Sequence, residues 1–523
     1  MPDTTHLPRI TYTEMPKDLE PIHAWFDAAL PTFRAGLGKA WSNVIGGRED
    51  PDGTPYTAVS PIDAQITLGS YVEASDGAID RVVRAARAAS REWAATPWRS
   101  RVEHMRKFAQ LLDGAKHDLA MAILFEVGKT RLEALGEAEE AVGLVRYYCD
   151  EMERNVGFAA KAWQGNNERS QTILRPYGVF AVIAPFNYPV ALVINMMSAA
   201  LVAGNSVVIK PSPNAGLSAG MVAALVKAAG LPDGVVNVVC GNTAGKRLVA
   251  HQGIDGIAFT GSYAVGMTLQ RQMAAGATMR PVLAEMGGKN PAYIARSADV
   301  DRAVEGVARS AFNMQGQKCT ACSVAFVHAT IYEEFRSKLV ARAAKVRIGD
   351  VTRRDTSNGP LINAQALERY EAAARHAAQS GRIAYGGKRL QGGLFDRGSY
   401  VEPAVVCDLP DNDRLYKDEL FAPLLALSRF DDLAQAIARG NATQYGLTSG
   451  FYGQDPHEID LYLETAESGV QYVNRETGAT TGAWPGIQSF CGWKGSGLTG
   501  KGGLGPHYLP QFMKEQSRTV RSR

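Results

Sequence analysis

Helix-like and strand-like segments alternate along this chain from about residue 76 onward. The segments 75–95 and 101–123 place apolar residues at the three- and four-residue intervals of amphipathic helices. Short apolar strands then alternate with helices, as in a series of βαβ units. The predicted strands are 179–184, 206–209, 235–239 and 256–259, and the predicted helices between them are 190–203 and 217–229. This order predicts an α/β fold with a doubly wound, parallel sheet.

A second series of the same kind begins after Asn290. The region 154–175 interrupts the first series with polar, turn-forming residues, and it predicts a protruding β-hairpin. The glycine-rich region 381–398 predicts exposed turns around a short strand. The second series consists of predicted strands 292–294 and 323–328 and predicted helices 299–312 and 331–346. We therefore expect two doubly wound α/β domains and one β-hairpin.

The segment 178–204 contains no charged residue and is long enough to cross a bilayer. Pro185, Asn187, Pro189 and Asn195 interrupt it, and its first part is rich in β-branched and aromatic residues. A strand buried on both faces, a turn and a buried helix explain this pattern better than a membrane span does. The sequence therefore predicts no membrane partner.

The composition narrows the classes of function. The 523 residues carry 56 basic and 53 acidic side chains, a net charge of +3, so no overall field favours nucleic acid as a partner. The six cysteines are scattered, and the N-terminal segment lacks the apolar core of a signal peptide, so we expect a cytoplasmic location. A small-molecule substrate is the remaining expectation.

Cys319 is the leading candidate for a nucleophile. It lies between Lys318 and Thr320 in the segment 316–322, among small and polar residues, and the lysine could favour its reactive thiolate. From this segment alone, a packed structural cysteine remains the alternative, because buried thiols are common. Cys319 and Cys322 also form a C-x-x-C pair, but no second pair of ligands accompanies them. We therefore expect no metal.

Five sequence blocks, in their order and spacing, resemble the aldehyde dehydrogenase superfamily. They are Pro185-Phe-Asn-Tyr-Pro189, Ile209-Lys-Pro-Ser212, Phe259-Thr-Gly-Ser262, Glu285-Met-Gly-Gly-Lys-Asn290 and Gly316-Gln-Lys-Cys-Thr-Ala-Cys322. The resemblance extends over about residues 60–520. It implies an enzyme that oxidises an aldehyde to a carboxylic acid with a nicotinamide dinucleotide.

The resemblance implies three catalytic residues. Cys319 is then the nucleophile that attacks the aldehyde, and the Asn187 carboxamide stabilises the oxyanion together with a backbone N–H near Cys319. Glu285 is the base that activates water for hydrolysis of the thioester. Two alternatives use fewer of these residues. An enzyme that passes its thioester to coenzyme A would not need Glu285, and an idle binding protein would need none of the three.

The chain has no G-x-G-x-x-G fingerprint after a strand, so another segment must hold the cofactor. A strand end that leads through glycine into a helix offers free amides to a pyrophosphate. The cofactor residues that the resemblance implies are Lys210, Ser212, Phe259, Gly261, Ser262, Gly266, Glu419 and Phe421. Many members of the family that prefer NAD carry an acidic residue where this chain has Pro213. We expect NAD as the cofactor. Because this chain lacks that acidic residue, NADP is an alternative cofactor.

Within the superfamily, the segments 316–323, 477–482 and 505–508 look like the 1-pyrroline-5-carboxylate dehydrogenase branch. That branch oxidises L-glutamate γ-semialdehyde to L-glutamate in proline catabolism, and backbone amides of a glycine-containing loop hold the substrate carboxylate. The substrate-binding residues that this likeness implies are Phe186, Thr320, Gly478, Ala479 and Phe490. Trp484 and Trp493 could reshape the mouth of the pocket, so a bulkier or aromatic aldehyde is the alternative.

The expected domain boundaries follow from these blocks. In the resembling family, a hairpin of this kind pairs with the sheet of a partner subunit. We therefore expect a homodimer or a dimer of dimers. The boundaries are an N-terminal arm over 1–60, an NAD(P)-binding domain over 61–153 and 177–286, an oligomerisation hairpin and C-terminal strand over 154–176 and 509–523, a catalytic domain over 287–475, and a substrate-anchoring loop over 476–508 that returns to the cofactor domain.

Overall fold

The structure is a computed structural model, and it describes residues 7–11, 15–160, 162–165 and 167–521. The α-helices are α1 Glu20–Ala35, α2 Asp76–Ala95, α3 Trp98–Val127, α4 Arg131–Arg154, α5 Ala191–Ala203, α6 Gly216–Ala229, α7 Ala244–Ala250, α8 Tyr263–Ala274, α9 Val300–Phe312, α10 Tyr332–Ala343, α11 Ala364–Ser380, α12 Leu433–Asn441 and α13 Pro456–Thr465. The strands are β1 Lys39–Ala40, β2 Asn43–Ile45, β3 Arg48–Asp50, β4 Gly53–Val59, β5 Thr67–Ala74, β6 Trp163–Gly165, β7 Glu168–Pro176, β8 Val179–Ile183, β9 Ser206–Lys210, β10 Val236–Val238, β11 Gly256–Thr260, β12 Val282–Glu285, β13 Asn290–Ile294, β14 Cys322–His328, β15 Arg382–Tyr385, β16 Ala404–Cys407, β17 Leu424–Phe430, β18 Tyr445–Gly446, β19 Thr448–Tyr452, β20 Val470–Val473, β21 Trp493–Lys494 and β22 Met513–Arg521.

The first large sheet has seven strands in the order β12-β11-β8-β9-β10-β2-β3. The strands from β12 to β10 run parallel, and β2 and β3 add to one edge in antiparallel fashion. Strands β8, β9 and β11 are buried along their whole lengths, which explains why their sequences are almost entirely apolar. The predicted parallel sheet is therefore confirmed, and its strand bounds match the expected ones closely.

The second large sheet also has seven strands, in the order β15-β16-β17-β14-β13-β19-β20. All neighbouring strands run parallel except β15, which pairs with β16 in antiparallel fashion. Asp299 caps the N-terminus of helix α9, and its side chain accepts a hydrogen bond from the backbone N–H of Arg302. Helix α10 ends at Ala343, slightly before the expected bound at residue 346. The second predicted α/β unit is thus confirmed.

The uncharged segment 178–204 forms β8, a turn and α5. Helix α5 is buried on nearly every side, so its lack of charge reflects packing inside the protein. Among the residues that the structure describes, no helix is both long enough and apolar enough to span a bilayer.

Helix α4 was not singled out by the sequence pattern. It begins with a capping box in which the Thr130 side chain accepts from the N–H of Glu133 and the Glu133 side chain accepts from the N–H of Thr130. Glu137, Glu139 and Glu151 are buried along this helix. Acidic residues at such density normally mark a solvated face, which is why the pattern is misleading here.

The N-terminal region contributes to two sheets. Strand β5 pairs with β4 and β1 in a small sheet of three strands. Strands β2 and β3 instead extend the first large sheet, since Val44 pairs with Val238 of β10. Part of the segment expected to be an arm therefore belongs to that sheet. The domain boundaries themselves stay a prediction.

A separate sheet of three strands contains β22, β7 and β6. Strands β6 and β7 form the predicted hairpin, although α4 and a short 3₁₀ turn occupy the first residues of the expected 154–175 region. Strand β22 pairs with β7 from Met513 to Arg521. Beyond Met513, every residue of β22 is exposed, and the strand lies at the open edge of its sheet.

Candidate active site

The structure brings Asn187, Glu285 and Cys319 to the region between the two large sheets. Asn187 follows β8, and Glu285 is the last residue of β12, so both lie at the carboxyl edge of the first sheet. Cys319 lies in the loop that precedes β14 of the second sheet. Cys319 and Glu285 line one cavity of about 550 Å³. The carboxyl edge of a parallel sheet is where open α/β folds bind ligands.

The surroundings of Cys319 raise the pKa of its thiol to about 12. Burial is the main cause, and the carboxylates of Glu419 and Glu285 add to it, while the backbone N–H groups of Thr320 and Cys319 act in the opposite direction. Lys318 does attract the charged form of Cys319, because the charge of Cys319 acts to raise the pKa of Lys318 in return. Its Nζ also donates to the Arg309 carbonyl at 3.3 Å. The lysine thus acts in the expected direction, but burial and the two carboxylates outweigh it and the protein groups together favour the neutral thiol.

Asn187 is connected directly to the loop that carries Cys319. It is 3% exposed, and its Nδ2 donates a hydrogen bond to the backbone carbonyl of Gln317 at 3.0 Å. The Gln317 side chain in turn accepts a hydrogen bond from the N–H of Ile362 at 2.9 Å. These bonds fix the carboxamide next to the nucleophile loop, and its second N–H hydrogen is left for another acceptor.

The loop before Cys319 has an unusual backbone. Met314 and Gln315 both have positive φ angles, of 53° and 55°, and Gly316 follows with a φ of 64°. Such angles are costly for residues with side chains and persist only when the surroundings hold them. One such contact is made by Glu133, whose Oε1 accepts a hydrogen bond from the Met314 N–H at 2.9 Å. The capping residue of α4 thus also supports the nucleophile loop.

Glu285 is a buried carboxyl group with a raised pKa. It is 7% exposed, and burial raises its pKa to about 7. Its Oε1 accepts a hydrogen bond from the N–H of Gly503 at 2.7 Å, which partly offsets the effect of burial. A carboxyl group with a pKa near neutrality can both accept and release a proton at physiological pH.

A buried ion pair supports the segment that carries Asn187. Lys129 and Glu137 are almost fully buried, and their Nζ and Oε2 atoms are 2.5 Å apart. Glu137 Oε1 accepts hydrogen bonds from the N–H groups of Val190 and Ala191 at the start of α5. The Lys129 ammonium also lies 3.6 Å from the ring centroid of Tyr188. The sequence pattern did not indicate this pair, although the T-x-x-E capping box beside it is a recognisable signal for the start of the helix.

The residues predicted to hold the cofactor pyrophosphate lie around the start of α8. Ser262 is the N-cap of that helix, yet its side chain makes no capping bond. The Gly261 N–H donates to the Glu285 carbonyl at 3.1 Å. A side chain at Gly261 would collide with Phe259, and one at Gly266 would collide with Met286. The two glycines thus leave a backbone turn that a ligand could approach closely.

Lys210 and Ser212 lie at the end of β9, and Lys210 is nine-tenths buried. Ser212 Oγ accepts a weak hydrogen bond from the N–H of Asn214 at 3.4 Å. On the other side of the site, Glu419 Oε1 accepts a bond from the Gly288 N–H at 3.0 Å, and burial raises the Glu419 pKa to about 7. Glu419 is thereby fixed near Cys319, whose pKa it raises.

Two predicted aromatic residues contact each other. The rings of Phe186 and Phe421 meet edge to face at 5.9 Å between centroids. Phe421 has a φ of 55°, an uncommon conformation for a bulky residue. Phe490 and Thr320 line the cavity, whereas neither Phe186 nor Phe421 is among its lining residues. Of the aromatic side chains, Phe490 and Tyr188 therefore form its wall.

Gly478 and Ala479, expected to bind the substrate, are not among the residues that line the cavity. Both are buried, and the N–H of Ala479 donates to the Gly306 carbonyl of α9 at 2.9 Å. This amide is therefore not free to hold a substrate carboxylate. Neighbouring loop residues take their place in the wall of the cavity, which includes Thr477, Thr481, Gly482 and Ala483.

The two tryptophans also differ from expectation. Trp484 is 6% exposed and packs next to Gly143 of α4, with the Arg9 guanidinium 5.8 Å from its ring centroid. Trp493 lies on the exposed strand β21. Neither lines the cavity. The reason for favouring a bulkier or aromatic aldehyde is thereby removed.

Within the described ranges, no group of three or more histidine, cysteine, aspartate or glutamate side chains is arranged to hold a metal ion. Cys322 is buried, and its Sγ points to the Val324 carbonyl at 3.4 Å. It is a packed residue beside the nucleophile loop. All six cysteines are free thiols.

Comparison with known proteins agrees with this arrangement. The aldehyde dehydrogenase family model matches residues 48–517. The chain is 32% identical to a 1-pyrroline-5-carboxylate dehydrogenase of Halalkalibacterium halodurans over 505 residues, or 95% of each chain. It is 32% identical to an alpha-ketoglutaric semialdehyde dehydrogenase of Bacillus subtilis over 80% of this chain and 86% of that protein.

A solved structure has the same architecture. The crystal structure of 1-pyrroline-5-carboxylate dehydrogenase from Thermus with bound NAD superposes with a TM-score of 0.92 at 28% identity. The match covers 99% of this chain and 100% of that one. With the family match over nearly the whole sequence, the chain belongs to the aldehyde dehydrogenase family and is an oxidoreductase that acts on aldehydes.

Proposed function

We propose that this protein oxidises L-glutamate γ-semialdehyde to L-glutamate with NAD, through a thioester on Cys319. The observation that supports this most strongly is a single cavity lined by both Cys319 and Glu285. Asn187 is joined to the same loop as Cys319 by its bond to Gln317. A nucleophile, an oxyanion donor and a base are the parts that this chemistry needs.

In the first step, the Cys319 sulfur forms a bond to the aldehyde carbon, and the carbonyl oxygen becomes an oxyanion. The thiol proton must leave, and Glu285, with a pKa of about 7, is a carboxylate in the same cavity that can accept it. The Asn187 carboxamide donates its second N–H to the oxyanion, because its first is held by Gln317. The product is a thiohemiacetal on Cys319.

The residues around α8 and β9 fit a dinucleotide. Gly261 and Gly266 keep a backbone turn clear, and the Lys210 ammonium is buried at the same edge of the sheet. Glu419 is fixed by the Gly288 N–H on the side of Cys319. A bound NAD would supply the hydride acceptor that the conversion of the thiohemiacetal on Cys319 into a thioester requires. The protein's part is to hold the two reacting carbons together and to exclude water.

Glu285 first releases to solvent the proton that it took from Cys319. In the last step, it removes a proton from a water molecule that attacks the thioester carbon. The C–S bond breaks, the free acid leaves, and the proton held by Glu285 passes to the Cys319 sulfur to restore the thiol. The Gly503 N–H holds one oxygen of Glu285, so the other oxygen is available for the water. This assignment distinguishes hydrolysis from transfer to coenzyme A, which would need no base.

We expect the hydrolytic step to accelerate as the pH rises through about 7. Burial raises the pKa of Glu285 from 4.5 to about 7, so below that pH the carboxyl group is protonated and cannot accept a proton from water. Rapid-quench measurement of acid release from the thioester, from about pH 5.5 to 8.5, should show this inflection. In Glu285→Gln the inflection should disappear. If the variant kept it, another group would be the base.

Positive charge at the mouth of the cavity supports an aldehyde that carries a carboxylate. Arg309 and Arg342 line the cavity and share the carboxylate of Glu305. Arg347, Arg353 and Arg354 also line it, so its basic lining residues outnumber the acidic ones, which are Glu133, Glu140 and Glu285. Such an excess attracts anionic substrates. Both relatives compared above are named for compounds that carry a carboxylate.

A panel of aldehydes tests the proposal. L-glutamate γ-semialdehyde, α-ketoglutaric semialdehyde, succinate semialdehyde, propanal and benzaldehyde would each be assayed with NAD and with NADP. We expect the highest kcat/KM for glutamate semialdehyde with NAD, and free glutamate as the product. A preference for propanal or benzaldehyde would contradict the substrate. Product formation only as an acyl-CoA in the presence of coenzyme A would contradict the hydrolytic step, and a lack of turnover with every aldehyde would support an idle protein.

We also propose that the protein is a homodimer or a dimer of dimers. Strand β22 lies at the open edge of its sheet, with unpaired backbone groups along one side and Val520 66% exposed. A chain truncated after Met513 keeps Phe512, which packs against Phe180 in the core, but loses the edge strand. We expect sedimentation of the full chain at micromolar concentration to give at least a dimer and the truncated chain to dissociate. A monomeric full chain, or a truncation without effect on assembly, would refute this.

The proposed location is the cytoplasm. All six cysteines are free thiols, including Cys149, Cys322 and Cys407, which are buried. Free thiols are typical of reducing compartments. Fractionation of the source cells with an antibody against the protein would test this, and recovery in a secreted fraction would contradict it.

A further inference from the structure

Lys210 is a buried lysine whose ammonium group has no hydrogen-bond acceptor among the described residues. Lys210 ends β9 and is 8% exposed. Burial lowers its pKa, and in the part of the chain that the structure describes no side-chain or backbone oxygen accepts a hydrogen bond from its Nζ. A buried cation costs free energy unless an acceptor is supplied. Its position at the cofactor edge of the sheet indicates that the acceptor is part of the ligand.

A lysine alone cannot satisfy both free hydroxyl groups of a bound ribose. Each of its two free hydroxyls can donate a hydrogen bond, but an ammonium group has no acceptor to offer them. Pro213, shortly after Lys210, has a side chain without any acceptor. A second residue must therefore provide a carboxylate or carbonyl oxygen if both hydroxyls are to be bound.

Glu73 brings a carboxylate to the same edge from a different element. It lies in β5 and forms a bridge with Cys240, just after the end of β10. Strand β10 is the direct neighbour of β9, so one strand, β10, separates Glu73 from Lys210. The charge of Glu73, together with Cys240, counteracts the lowering of the Lys210 pKa. The two side chains are thus close enough to interact electrostatically, although they form no direct ion pair among the described residues.

The carboxylate of Glu73 is both oriented and ionised. Its Oε1 accepts hydrogen bonds from the backbone N–H of Thr243, at 3.0 Å, and from the Thr243 hydroxyl. These bonds hold the pKa of Glu73 below its usual range. Because both go to Oε1, the Oε2 atom retains acceptor capacity for a ligand.

Two glycines lie next to these side chains. A side chain at Gly241 would collide with the methylene groups of Glu73, and the φ of Gly241 is 120°, which few other residues adopt. A Cβ at Gly245 would lie 3.7 Å from the Lys210 Cε atom. The backbone at Gly241 thus packs directly against Glu73, and the backbone at Gly245 lies next to Lys210, so one short segment joins the two side chains.

We propose that Glu73 and Lys210 together bind the adenosine ribose of NAD, and that Glu73 makes the protein select against NADP. The Lys210 ammonium donates to one hydroxyl, and Glu73 Oε2 accepts from the other. In NADP, the 2′-phosphate would lie against an ionised carboxylate, and the two like charges would repel each other. This inference rests on the proposed NAD-dependent function.

Equilibrium binding of NADH and NADPH, without any aldehyde, tests the inference. Glu73→Gln keeps an oxygen for Thr243 but removes the charge. We expect the Kd of NADH to rise about tenfold and that of NADPH to stay the same or fall, as for loss of one hydrogen bond to a charged group. Glu73→Asp retains the charge on a shorter side chain, so it should weaken NADH binding and still disfavour NADPH.

Glu49→Gln is the matched control, since Glu49 is an exposed residue on β3, in the large sheet that carries Lys210. Both Kd values should remain unchanged in it, and thermal unfolding should show that all variants are folded. Equal weakening of NADH and NADPH by Glu73→Gln, or no change in either, would overturn the role of Glu73 while leaving the proposed function intact. A wild-type protein that binds neither nucleotide would instead contradict the proposed function itself.

Discussion

Replacing Cys319 with alanine is expected to abolish aldehyde oxidation while NADH binding stays nearly unchanged. The thiol forms the bond to the substrate carbon, and none of the other cysteines lines the cavity. Loss of a nucleophile that works together with a base typically reduces turnover by at least about a thousandfold. Steady-state NADH formation and a fluorescence titration of NADH measure the two effects separately.

Cys322→Ala is the control for this prediction. Cys322 is buried a few residues away, and its Sγ contacts the Val324 carbonyl and not the cavity. The control variant should keep most of its activity, with at most a small loss of stability from the cavity it leaves. If Cys319→Ala retained turnover near that of the wild type, or if only Cys322→Ala were inactive, the nucleophile would be wrongly assigned.

Replacing Glu285 with glutamine is expected to slow thioester hydrolysis far more than hydride transfer. The amide preserves the bond to the Gly503 N–H but cannot accept a proton from water. General-base catalysis contributes about 10²- to 10⁴-fold, so the steady-state rate should fall within that range. Because the earlier steps are retained, mixing the enzyme with NAD and aldehyde should still give a burst of NADH in stopped-flow fluorescence.

Hydroxylamine provides the control for this second prediction. Added after free aldehyde has been removed, it should release the acyl group from the variant, because it attacks thioesters without help from a base. The wild-type enzyme should accumulate much less acyl group. A variant with an unaltered steady-state rate, or one without a burst, would remove Glu285 from the hydrolytic step.

The larger features of the fold were predictable because buried parallel strands have distinctive sequences. Strand β8 is buried on both faces and reads as a continuous apolar run, so both it and the helix after it could be located. Strands β2 and β3 could not, since both are short and partly polar, and β2 joins the sheet by pairing with β10, almost two hundred residues away. Only tertiary contacts define such edge strands.

The candidate site was predictable to the extent that its residues follow strand ends or sit in distinctive motifs. Asn187, Glu285 and Cys319 were brought together as expected, because two of them lie at one sheet edge and the third lies in the loop facing it. The predicted role of the Ala479 amide in binding the substrate carboxylate does not fit the structure, because this N–H donates to the Gly306 carbonyl. A sequence motif does not specify such a contact.

The electrostatic environment was the least predictable part. Lys318 precedes Cys319 in the sequence and acts on it in the expected direction. Burial and the carboxylates of Glu419 and Glu285, which are distant in sequence, nevertheless outweigh the lysine and raise the pKa of Cys319. A bound nicotinamide cation would oppose these carboxylates and favour the thiolate, so cofactor binding is expected to activate the thiol.

The most direct test of the central claim is mass spectrometry of Glu285→Gln after reaction with NAD and L-glutamate γ-semialdehyde. The protein would be quenched in acid, digested and analysed for the peptide that contains Cys319. We predict one acyl group attached to Cys319, dependent on NAD and removed by hydroxylamine. An unmodified Cys319 peptide after a full burst of NADH, or an acyl group on another residue, would contradict oxidation through a Cys319 thioester.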